Sequence, residues 1–130
     1  PDWMNVKNPL DIGPSGIYSK LLPMLLADPE IDMGLAIMVI PYAAVRNFKS
    51  AGFRVRDWFG DIASIRERYP DKPLVSVVVG HPEYVDDIAS LCGRSIPIFT
   101  SPEPAAKALA ALWSYSKARK KSGNKRSDIS

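Results

Sequence analysis

The sequence is poor in the residues that usually announce a site. In 130 residues it has one cysteine, Cys92, and one histidine, His81. A lone cysteine excludes an internal disulfide framework and fits a reducing, cytoplasmic setting. A structural zinc centre takes four Cys or His ligands, so no metal ligand is assigned. No apolar run approaches the ~18–20 residues that span a bilayer, no signal peptide is visible, and no membrane partner is expected. The chain also starts at Pro1 without an initiator Met, which reads as a piece of something longer.

A net basic charge is missing from most of the chain as well. The formal net charge is +3, but the last fourteen residues, "KARKKSGNKRSDIS", hold six Lys/Arg against one Asp. The remainder has eleven basic against thirteen acidic residues, a net −2. The basic character therefore belongs to one end and not to a folded face. That end has no interleaved aromatics or recognised binding motif, so no nucleic-acid partner is expected. Residues 119–130 are read as a basic flexible tail or linker, and residues 1–118 as one partial domain.

What the chain does have is a set of unbroken apolar runs. "GLAIMVI" (Gly34–Ile40) and "LVSVVV" (Leu74–Val79) are rich in β-branched residues. Runs without alternation point to strands covered on both faces. "IPIF" (Ile96–Phe99) is a shorter third strand. Helical stripes lie between them: Ile17, Leu21, Leu22 and Leu25; then Trp58, Ile62, Ile65 and Tyr69; then Val85, Ile88, Leu91 and Cys92, stopped by Gly93. Ser101, Pro102 and Glu103 open a last, alanine-rich helix. Helices alternating with strands imply an α/β fold with a parallel sheet. Three strands make that sheet thin.

Such sheets bind ligands beyond the carboxyl ends of their strands. Three loops fall there: "PYAAVRNFKSAGF", "GHPE" and "TSPEP". A fourth stretch, "KNPLDIGPSG" (Lys7–Gly16), stands just ahead of the first helical stripe. A helix N-terminus carries unpaired N–H groups and about half a positive charge, and glycines let an anion approach them. The plainer reading is that Pro14 opens the helix while Gly13 and Gly16 make the turn. "GPSG" is neither a P-loop nor a dinucleotide fingerprint. Among the remaining candidates, Cys92 reads as core, Trp58, Trp113 and Tyr115 as packing, and Glu83, Asp86 and Asp87 as a charge cluster without metal-ligand support.

The order Asn8-Pro9-Leu10-Asp11-Ile12-Gly13, a helix, "LLADPEIDMGLAIMVIP", "KPLVSVVVG" and "SIPIFTSPEPAAKALAALWSY" closely resembles one region of the nucleoside-diphosphate-forming acyl-CoA synthetases, relatives of succinyl-CoA synthetase. The resemblance runs from about Trp3 to Lys117. It implies the second flavodoxin-like ligase domain of that family, a parallel sheet with helices on both faces that lacks its first strand-helix unit. It further implies that acyl-CoA, ADP and phosphate are interconverted with acid, CoA and ATP through a phosphohistidine held in another ligase domain.

In that picture the opening loop supplies a helix N-terminus facing the phosphoryl group. Gly13, Ser15, Gly16 and Ile17 would bind phosphate, with Asn8 and Asp11 orienting the loop. Tyr42 and Arg46 would lie in a substrate loop, and His81 would be a loop residue or helix cap. No catalytic residue is assigned, and the piece alone is expected to be inactive and to bind no cofactor itself. CoA, ATP or ADP and Mg belong to the whole enzyme, and so do the CoA-binding, phosphohistidine and ATP-grasp domains expected as partners in an oligomer. Two other readings stay open: a ligand-sensing regulatory domain of an acetyltransferase fusion, and a non-catalytic flavodoxin-like binding module.

Overall fold

The computed structural model describes residues 7–13, 17–52, 54 and 62–127. Three parallel strands, β1 (Gly34–Ile40), β2 (Leu74–Gly80) and β3 (Ile98–Phe99), form one sheet in the order β1-β2-β3. β1 and β2 pair along their whole length, from Gly34 opposite Leu74 to Ile40 opposite Gly80. β3 adds only Ile98 opposite Ser76 and Phe99 opposite Val77. The described helices are α1 (Tyr18–Ala27), α2 (Tyr42–Ser50), α3 (Ile62–Arg68), α4 (Pro82–Cys92) and α5 (Pro102–Ser127). The α/β class with helices on both faces of a parallel sheet is therefore observed.

Side chains alternate across each strand, and this splits the core in two. Ala36, Met38 and Ile40 join Leu74 and Val78 on one face, under Leu22 and Leu26 of α1, Ile62 and Ile65 of α3, and Ile88 and Cys92 of α4. Val75 and Val77 point to the other face, where Ala105 and Leu109 of α5 cover them. Gly93 ends α4 at φ 58°, with its N–H donated to the Ala89 carbonyl.

Several sequence expectations need correcting. β1 is not covered on both faces: Leu35, Ile37 and Val39 are exposed, Val39 at 64%. The buried residues of α5 sit on β2, so no helix among the described residues seals β1 on that side. In α1 the buried positions are Leu22 and Leu26, whereas Leu25 is exposed. The stretch after β1 is not a loop. Tyr42 and Arg46 stand in helix α2, whose alanines favour the helix and whose Val45 is buried. Trp113 and Tyr115 are exposed on α5 and do not pack in the core. Trp58 lies outside the described residues.

Two positions in β2 are under steric or polar constraint. A Cβ on Gly80 would lie 3.0 Å from the Ile40 carbonyl oxygen and 3.1 Å from Ile40 Cβ, and backbone cannot swing aside as a side-chain tip can. Ser76 is fully buried, and its hydroxyl lacks a hydrogen bond of ordinary geometry. The Cys92 thiol lies beside it, a weak partner at best. Replacing Gly80 by Val is expected to destabilise the chain by about 1–3 kcal/mol through overpacking. Ser76→Ala is expected to stabilise it by about 1 kcal/mol, because an unpaired buried hydroxyl is removed. Urea unfolding midpoints of both variants check the two signs.

Candidate functional site

Helix α1 runs antiparallel to β1. Its Leu26 side chain lies near Gly34 at the start of the strand, and its Tyr18 reaches Ile37 halfway along. The N-terminus of α1 is therefore directed toward the carboxyl edge of the sheet. Helices α2 and α4 begin at that edge, where β1 and β2 end. With α5, which begins just past the end of β3, four helix starts share the side on which parallel α/β sheets take their ligands.

The opening loop is built around Asp11. Its Oδ1 accepts the Gly13 N–H at 2.8 Å, closing a turn in which Gly13 adopts φ 53°, a left-handed conformation that suits glycine. Ile12 is buried and pins the turn to the body of the protein. Asn8 is exposed and joined to Pro9 by a cis peptide bond. The Gly13 amide is committed to Asp11. Of the residues assigned to phosphate, Ser15 and Gly16 lie outside the described residues, as does Pro14. Ile17 stands at the start of α1, where its carbonyl accepts the N–H groups of Lys20 and Leu21, each at 3.0 Å. Among the described residues no side chain caps this helix, and no acid lies in its first turn to offset its positive end.

The carboxyl ends of β1 and β2 gather a second group. Close packing of Gly80 on Ile40 brings Tyr42 and His81 side by side, with ring centroids 5.0 Å apart. Tyr84 completes the cluster, 5.9 Å from Tyr42 and 6.0 Å from His81. His81 holds the N-cap position of α4 without a side-chain capping bond. Lys49 of α2 spans to α4: its Nζ lies 2.6 Å from Glu83 Oε1, 3.4 Å from Asp87 Oδ2 and 4.7 Å from the Tyr84 ring centre. The hydrogen bond to Lys49 holds the Glu83 carboxyl below its ordinary range, and the same bond raises the Lys49 pKa. Two of the three clustered acids are thus engaged by a lysine. Among the described residues no group of three His, Cys, Asp or Glu side chains is placed to hold a metal ion. Arg46 is exposed on α2.

Lys49, Tyr84 and Tyr18 were not singled out from the sequence. Tyr84 carried a local signal, three residues after His81 on the face that the helix buries. Lys49 and Tyr18 carried none, since their partners lie 34 and 19 residues away.

Comparison with known proteins finds one informative likeness. The chain is 30% identical over 120 residues to the alpha subunit of acetate–CoA ligase (ADP-forming) I from Pyrococcus furiosus. The alignment takes in 90% of this chain and 24% of that protein, so the chain spans about a quarter of the length of the relative it matches. No protein-family model matches the chain, and no solved structure matches it. Among the described residues no helix is long and apolar enough to cross a membrane.

Proposed function

We propose that this chain is part of an NDP-forming acyl-CoA synthetase, which interconverts acyl-CoA, ADP and phosphate with acid, CoA and ATP through a phosphohistidine carried by another domain. Its share of the work is the N-terminus of α1, which stabilises the phosphoryl group. The likeness to a CoA-ligase subunit across 90% of the chain carries this reading. A helix start with no cap from Ile17 and no acid in its first turn, set on the carboxyl side of the sheet, supports it. Backbone amides aimed at a phosphoryl group act by preorganised electrostatics, commonly the largest catalytic contribution.

The amides of Ser15, Gly16 and Ile17 are the donors in this reading, and Pro14 has none to offer. Asp11 orients the turn through the Gly13 N–H and does not touch phosphate, which its charge would repel. Tyr42 and Arg46, on α2, line the route toward the acyl group. CoA, nucleotide and Mg are held by the partner domains. His81 is not the phosphorylated residue, since its neighbours are Gly80, Pro82 and Glu83 and not those of the family's phosphohistidine.

Titrating the 130-residue chain with inorganic phosphate tests the loop. Amide shifts should cluster at residues 15–17, with a dissociation constant of about 1 mM or weaker, equivalent to about 4 kcal/mol. Gly16→Val should weaken binding by crowding the approach, and His81→Ala should leave it unchanged. Shifts centred on residues 80–83 would place the anion in the other cluster and defeat the assignment. The chain by itself should form no ATP from acyl-CoA, ADP and phosphate, and turnover by the purified chain would contradict its role as a part.

A further inference from the structure

The first turn of α1 is weakly held by its own helix. Its N-cap residue, Ile17, provides no side-chain bond. Pro23 sits inside the helix and lacks the N–H that would bond the Ser19 carbonyl, so one link between the first turn and the rest is missing. The buried anchors, Leu22 and Leu26, lie beyond that turn. A long-range contact makes up the deficit. The Tyr18 hydroxyl donates a 2.7 Å hydrogen bond to the Ile37 carbonyl oxygen of β1.

Ile37 lies in the strand at the edge of the sheet. Backbone groups alternate sides along a strand. Gly34 turns its N–H to the Pro73 carbonyl, on the β2 side, so Ile37, three residues on, turns its carbonyl away from β2. Tyr18 thus uses an acceptor that the sheet does not. Its ring packs against the main core, and burial first, with Asp11's charge second, raises the tyrosine pKa above its ordinary value. The hydroxyl therefore stays a protonated donor at neutral pH.

We infer that Tyr18 is the positioning residue of the first turn of α1: its hydroxyl, bonded to the Ile37 carbonyl, holds that turn against the sheet so that the Ile17 amide keeps one orientation. This rests on the phosphate reading of the loop and adds the residue that fixes that turn. Tyr18 touches no phosphate in this role and acts through the backbone beside it. The tether also ties the turn to the strand whose carboxyl end leads into Tyr42, so the two halves of the site share one support.

The test compares the chain with its Tyr18→Phe variant, which keeps the ring and deletes one oxygen, and with a chain carrying 3-fluorotyrosine at position 18, which keeps the hydroxyl. Hydrogen exchange at Lys20 and Leu21, the amides bonded to the Ile17 carbonyl, reads the tether. Phosphate affinity followed at the Ile17 amide reads the positioning. Tyr18→Phe should speed exchange at those two amides about five-fold and weaken phosphate about five-fold, the effect of one net hydrogen bond. Fluorotyrosine should restore both. Unchanged exchange at Lys20 and Leu21 overturns the tether whatever phosphate does. Faster exchange with unchanged phosphate affinity overturns the positioning role and leaves a purely structural tyrosine. A parent chain that shows no phosphate-dependent shift at Ile17 refutes the loop reading itself, and the inference falls with it.

Discussion

The pairing of β1 with β2 is the constraint on which the rest of the molecule depends. Seven residue pairs stand in parallel register, so both strands end at the same level, with Ile40 beside Gly80. Parallel neighbours cannot be joined by a tight turn. The chain between them must cross one face of the sheet, and α3 buries Ile62 and Ile65 there. The glycine is the condition for closeness at the rim, because a side chain would strike the Ile40 carbonyl. That closeness brings Tyr42 and His81 into contact, and it sets α2 and α4 near enough for Lys49 to reach two acids across the gap.

The strands were the most legible part of the chain. β1 falls where Gly34–Ile40 reads as a run of β-branched and apolar residues, and β2 extends past Val79 only by Gly80. Composition revealed the strands but not what would lie over them. Leu35, Ile37 and Val39 look as apolar as Met38, yet only the presence of a helix above a strand decides which of its faces is dry. The segment after β1 shows a similar limit. Pro41 and Gly52 bracket it like a loop, while Ala43, Ala44 and Arg46 between them favour a helix, and the helix forms.

The candidate site was legible where chemistry is local. Asp11 and Gly13 are two residues apart, and their hydrogen bond is a common Asx turn, of the kind that an Asn-Pro and Asp-x-Gly composition suggests. The contacts joining separate elements could not be read in this way. Lys49 to Glu83 and Tyr18 to Ile37 are products of the packed sheet, and no spacing rule relates their positions. The role proposed for the loop rests on the likeness to a CoA-ligase subunit, and its described turn rests on Asp11 and Gly13.

β2 lies between the other two strands, and its first five residues, Leu74–Val78, are all buried. Both parts of the core reach it, one through Leu74 and Val78 and the other through Val75 and Val77. Separating β2 from either neighbour would wet both hydrophobic clusters at once, so neither cluster forms an independent unit of stability. The described domain should melt as one cooperative body, without a half-folded stage in which one face of the sheet outlasts the other.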